Sequence, residues 1–162
     1  MSDSTYRHLL LATDLTPEGQ PVIERAKQLR DIFGARLTLL HILANLPTAV
    51  EYMPMSYSGD MILPKGFDLE NELLTLARAQ LDELGEILSV PPPDRLIKIG
   101  TTGYRIDATA DELGVDLIVI GNRGRHGLRA LFAPSTSKAV LRVQSCDVLC
   151  VPIGGRDDDQ GS

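Results

Sequence analysis

The spacing of apolar positions changes period repeatedly along the chain, and each change marks an element. Arg7–Thr13 (RHLLLAT) has Leu9, Leu10, Leu11 and Ala12 at its centre and is followed by Asp14. A short apolar run of this kind predicts a strand buried on both faces. From Pro17 the period lengthens: Val22, Ala26, Leu29 and Phe33 recur at helical steps. That predicts a helix opened by a proline and stopped by Gly34 in a left-handed cap. Arg36–Leu43 (RLTLLHIL) is a second strand. A second helix is expected over about Asp68–Leu88, with Leu69, Leu73, Leu76, Ala77, Leu84 and Leu88 buried. Its charged residues Glu70, Glu72, Arg78, Asp82 and Glu83 are expected mostly in solvent, and Pro91, Pro92 and Pro93 end it. Arg95–Ile99 (RLIKI) alternates and reads as an edge strand. Ile106, Ala110 and Leu113 give a third helix closed by Gly114. Leu117–Ile120 is a fourth strand, Ser135 starts a helix burying Ala139, Val140 and Val143, and Asp147–Ile153 (DVLCVPI) is the last strand.

Strands alternating with helices in this way specify an α/β fold: an open parallel sheet with helices on both faces. Residues 1–153 form one domain, and the polar tail 154–162 (GGRDDDQGS) is expected to be disordered. Residues 44–67 interrupt the alternation with Pro47, Pro54 and Pro64 beside Met53, Met55, Met61, Tyr52 and Tyr57. A connection of that length is functional or disordered. An adaptable Met- and Tyr-lined surface for a protein partner and a mobile excursion both fit it.

Composition narrows the function classes. No apolar run approaches the roughly 20 residues of a membrane helix, and the three-leucine run near the N-terminus is too short for a signal-peptide core. A cytoplasmic protein without membrane insertion is therefore expected. The net charge of -6 argues against general nucleic-acid binding, and the absence of Trp leaves little surface for base stacking. Cys146 and Cys150, four residues apart along a strand, would lie about 13 Å apart. That exceeds the roughly 7 Å reach of a disulfide, and two thiols alone make no zinc site; reduced, structural thiols are expected. His41 has no second His or Cys at ligand spacing, so it reads as a packed or edge-facing histidine.

The candidate chemistry lies in Asp116–Thr136 (DLIVIGNRGRHGLRALFAPST). An apolar strand ends at Gly121; Gly124 and Gly127 follow, then a Pro-Ser-Thr-Ser helix start. Glycines let backbone approach an anion closely, and a helix N-terminus presents unpaired N–H groups and the positive end of a dipole. Between Gly121 and Lys138 there is no acidic residue, whereas Arg123, Arg125, Arg129 and Lys138 are basic. Alone, such a loop reads first as an ordinary basic surface turn; its position between a central strand and a helix is what points to phosphate. Asp14, beyond the first strand, stands where open parallel sheets bind ligands. It suits ribose hydroxyls or a metal, and it also suits capping the next turn. No P-loop, G-x-S-x-G or other recognisable nucleophile–base motif is present, so an enzyme is not expected. Slow ATP hydrolysis stays open.

Three segments carry a family resemblance over Tyr6–Ile153: RHLLLATDLTPEG, RLTLLHIL, and DLIVIGNRGRHGL with STSKAVLRVQSCDVLCVPI. They resemble the universal stress protein A superfamily. The resemblance implies a Rossmann-like, adenine nucleotide α-hydrolase-like sheet of five parallel strands in the order 3-2-1-4-5. It also implies a cytoplasmic stress-response role and a homodimer formed by antiparallel pairing of the last strand, Asp147–Ile153. Members that bind ATP carry G-x2-G-x9-G-[ST]. Here Gly121 and Gly124 match the first two glycines and Ser135 the final hydroxyl residue, while Pro134 replaces the third glycine. By the same resemblance, Asp14 lies near adenine and ribose, Ile42 lines the adenine pocket, and Gly121, Gly124, Ser135 and Thr136 meet ribose or phosphates. Ala12 and Thr13, beside Asp14, and Arg123 complete the candidate set. The implied ligand is ATP or a related adenine nucleotide (ADP or AMP), with Mg2+ as an optional companion. Proline removes one N–H and fixes φ near roughly -65°, so the motif is degraded. Two readings stand: a nucleotide-binding regulator, and a nucleotide-free dimer acting through protein–protein interaction.

Overall fold

In the computed structural model, which describes residues 5–44, 69–122 and 146–153, the apolar runs become strands of one parallel sheet. The elements are β1 (His8–Ala12), α1 (Gln20–Phe33), β2 (Arg36–Leu43), α2 (Leu69–Leu88), β3 (Arg95–Ile99), α3 (Thr102–Leu113), β4 (Leu117–Asn122) and β5 (Asp147–Pro152). Their order in the sheet is β3-β2-β1-β4-β5, with every neighbouring pair parallel. β1 is central, which is why its three leucines are fully buried.

The two-residue period of the strands divides the core in two. Leu9, Leu11, Leu37, Leu39, Leu117 and Val119 face α1 (Val22, Ile23, Ala26) and α2 (Leu81, Leu88). Leu10, Leu40, Ile118 and Ile120 face the other way, onto Ile106 and Ala110 of α3. Helices therefore cover both faces, as the alternation requires. Gly34 and Gly114 end α1 and α3 with φ of 61° and 66°, the left-handed caps expected of them.

Several boundaries and faces differ from the sequence reading: β1 and β5 are shorter than Arg7–Thr13 and Asp147–Ile153, and β4 runs past Ile120 to Asn122. Pro17 opens a 3₁₀ turn, Pro17–Gly19, and the α-helix proper starts at Gln20 with Pro21 in its first turn. On α2, Leu69 and Leu76 are 43% and 57% exposed, while Leu81 is fully buried. The buried face of α2 runs through Ala77, Leu81, Gly85 and Leu88; Leu76 precedes Ala77 by one residue and so points about 100° away from it. Asp82, expected mostly in solvent, is 44% exposed and also pairs at 3.5 Å with the buried Arg95 guanidinium. The expected fourth helix, the 44–67 excursion and the polar tail lie outside the described residues. Among those described, no helix is long and apolar enough to cross a membrane.

Candidate functional site

A parallel sheet brings all its strand ends of one kind to a single edge. After β1 the chain builds outward through β2 and β3, then returns to β4 on the other side of β1. Adjacent strands whose connections leave in opposite directions open a crevice at their carboxyl ends. That crevice lies between β1 and β4. Extending the register Leu11↔Val119 by two residues puts Thr13 level with Gly121. On the other side the Thr13 N–H still donates to the Leu40 carbonyl at 2.9 Å, which brings the Thr13–Asp14 turn beside the end of β2 that carries Ile42.

Ala12, Thr13, Asp14, Ile42 and Gly121 are thus gathered on one edge from three strands. Ala12 and Ile42 are half-buried against the α3-side core. Thr13 is buried and Asp14 exposed. Arg123, Gly124, Ser135 and Thr136, with Pro134, lie outside the described residues.

The turn after β1 is built by its own side chains. The Leu15 N–H donates to Thr13 Oγ1 at 3.1 Å. Asp14 Oδ1 accepts from the Thr16 N–H at 3.0 Å and from the Thr16 hydroxyl at 2.7 Å. These bonds satisfy backbone donors that have left the ladder. Leu15 adopts φ 61°, a left-handed conformation that costs a leucine roughly 1–2 kcal/mol; its side chain packs on the α1-side core. Asp14 therefore has the turn-capping job weighed from the sequence. Contact with a sugar hydroxyl is compatible with it, because a carboxylate has about four acceptor positions.

Gly121 also has a packing reason. A Cβ there would collide with Ile153 Cδ1 and come within 3.0 Å of Val22 Cγ2. The end of β4 is clamped between α1 and the residue after β5, whose N–H donates to the Asn122 carbonyl at 2.8 Å. His41 was expected to be packed or edge-facing; its Nδ1 lies 2.8 Å from the Thr13 carbonyl, a tie that its sequence position did not reveal.

The two cysteines are free thiols, as expected. Burial, helped by the Asp107 carboxylate, pushes the Cys146 thiol up to about 11, and burial also raises Cys150. Thiols shifted in that direction are protonated at neutral pH and are poor nucleophiles. Among the described residues no group of three His, Cys, Asp or Glu side chains is placed to hold a metal ion.

Fold and edge together define an open, doubly wound α/β protein with a crevice at the carboxyl end of its sheet. The model of the universal stress protein family matches residues 5–152. Universal stress protein A homolog 1 of Coxiella burnetii is 35% identical over 146 residues, covering 90% of this chain and 96% of that protein. Homolog 2 of the same organism is 36% identical over 151 residues, covering 93% and 97%. The chain belongs to the universal stress protein family. Its fold is also that of a universal stress protein solved in complex with cAMP, with a TM-score of 0.58 at 19% identity over 92% of this chain and 98% of the other.

Proposed function

We propose that this universal stress protein is a cytoplasmic stress-response regulator that binds an adenine nucleotide, not an enzyme. ATP, ADP or AMP would sit across the crevice between β1 and β4. The observation that carries this reading is the convergence of the Thr13–Asp14 turn, Ile42 and Gly121 on one edge, from strands distant in sequence. Ile42 and Ala12 offer apolar surface for adenine, and the Asp14 carboxylate suits ribose hydroxyls. Arg123, with Gly124, Ser135 and Thr136, would meet the phosphates. A Mg2+ ion at this edge would rest chiefly on phosphate oxygens, with at most a carboxylate from the protein. The family neighbour with cAMP supports the reading, since cAMP is itself an adenine nucleotide.

The regulator would act as a homodimer through β5, with residues 44–67 available to a protein partner. β5 is an outer strand of the described sheet. Apart from Asp147 its strand carries no charge, so no charge guards Val148–Val151, and Pro152 limits pairing at one end.

A second reading, a nucleotide-free interaction protein, is favoured by a specific finding: Asp14 and Gly121 each have a sufficient structural role without any ligand. Thermal melts with and without ATP separate the two, because a ligand that binds the native state raises the melting temperature. The nucleotide reading expects a rise with ATP, and a larger one in Pro134→Gly, which regains a backbone donor worth about tenfold in affinity. If neither protein responds while both stay folded, the interaction-protein reading replaces it.

A further inference from the structure

The pairing of β1 with β2 ends at Ala12↔Leu40. One residue later the Thr13 N–H still reaches the Leu40 carbonyl at 2.9 Å. The Thr13 carbonyl points back to β2 and meets a side chain, the His41 ring, at 2.8 Å. A carbonyl only accepts, so Nδ1 carries the proton; in a neutral ring this leaves Nε2 as the acceptor. The imidazole thus extends the pairing of the two strands past the last ladder residue. Immediately afterwards the chain turns sharply, with Leu15 at φ 61° and the Leu15 and Thr16 amides bonded to Thr13 Oγ1 and Asp14 Oδ1.

The same bond has a second effect. His41 and Ile42 are neighbours on β2, so their side chains leave opposite faces of the sheet. A ring fixed on one face restrains the backbone that carries Ile42 on the other. One hydrogen bond therefore couples the two parts of the crevice that come from different strands: the turn bearing Asp14 and the strand end bearing Ile42. Left-handed backbone at a leucine persists only where its surroundings over-determine it, and the Thr13 carbonyl that meets His41 lies two residues before Leu15.

We propose that His41 is a positioning residue for ligand binding at this edge, holding the Asp14 turn and the Ile42 strand end in one arrangement through the Thr13 carbonyl. The proposal rests on the nucleotide reading of the crevice. Its test compares wild type with His41→Leu, which fills the space without a donor, and His41→Asn, whose side-chain N–H substitutes for Nδ1–H. ATP affinity is measured by titration calorimetry. Amide hydrogen exchange is followed at Leu15 and Thr16, with Leu9–Leu11 as internal reference, and ring 15N shifts report which nitrogen is protonated.

The expected result is about tenfold weaker ATP binding in His41→Leu, of the size one hydrogen bond supports. Exchange at Leu15 and Thr16 should be faster, Leu9–Leu11 unchanged, and His41→Asn should restore both affinity and protection. The wild-type ring should show Nδ1 protonated. A His41→Leu protein that keeps its Leu15 and Thr16 protection, or a wild-type ring protonated only at Nε2, overturns the proposal. So does loosened exchange with unchanged ATP affinity. If wild type itself takes up no ATP, the nucleotide reading fails separately, and the exchange and 15N results still decide whether His41 holds the turn.

Discussion

Single residues at the carboxyl edge carry two kinds of constraint, and Gly121 shows how they are told apart. From sequence it reads as the first glycine of a phosphate loop; in the fold it is also a contact point for Ile153 and Val22. Gly121→Ala should destabilise the protein by about 1–3 kcal/mol through overpacking. Adding Ile153→Val removes Cδ1, the nearest atom it strikes, and leaves Cγ1 at 2.9 Å, so the double variant should regain part of that loss in a denaturant melt. No recovery would mean that the glycine is needed for its backbone alone. At the opposite edge, His8 is buried with Nε2 2.7 Å from Thr38 Oγ1. Burial, reinforced by Arg36, holds its pKa below the ordinary 6.5, against weaker opposing effects of Asp94, a hydrogen bond to the Leu113 backbone, and Asp116. Above 6.5 the ring is neutral in both folded and unfolded chains. As pH falls below 6.5 the unfolded chain takes up the proton first, so stability drops toward the lower folded pKa. Melting temperatures between pH 7 and pH 5.5, a range chosen around the free histidine value, should fall more in wild type than in His8→Gln; parallel profiles would contradict this. Asp14 and Gly121 were legible because strand ends and glycines show in one-dimensional pattern. The His41–Thr13 bond was not, because it joins positions 28 residues apart through a side chain and a carbonyl.

At the scale of elements, every described strand and helix was foreshadowed by its apolar period, and β2 and β3 match their predicted limits. The faces of α2 were less legible. Leu69, Leu76, Leu81 and Leu84 all offer apolar area, and which of them is buried depends on where the sheet lies. Gly85 is the element's most informative residue. It reads as a weak point in a helix, yet it makes room for Arg95, whose guanidinium passes where a Cβ would stand. That buried side chain donates to the Val90 carbonyl at 2.9 Å and pairs with Glu86 at 2.9 Å, fastening the edge strand β3 to α2. Displacing it leaves buried donors unpaired, so Gly85→Ala should cost roughly 2–4 kcal/mol despite alanine's better helix propensity. In an Arg95→Met background the same substitution should be close to neutral; an equal cost in both backgrounds would rule out the guanidinium as the cause.

For the whole molecule, the sheet order β3-β2-β1-β4-β5 fixes both the crevice and the outermost strand. The order came from family resemblance, since alternation of strands and helices sets parallel pairing and handedness but not sequence in the sheet. Light scattering at micromolar concentration should give twice the chain mass of 17.7 kDa if β5 pairs with its symmetry mate; the monomer mass would remove that assembly. The roles proposed for the carboxyl edge all depend on an adenine nucleotide binding there. An amide NMR titration of 15N-labelled protein with ATP tests this directly. Shifts should concentrate at Thr13–Thr16, Ile42, Gly121 and Asn122, leaving His8, Arg36 and Asp116 at the amino edge unmoved. A spectrum that does not change with ATP, or one that changes only at the amino edge, would contradict it.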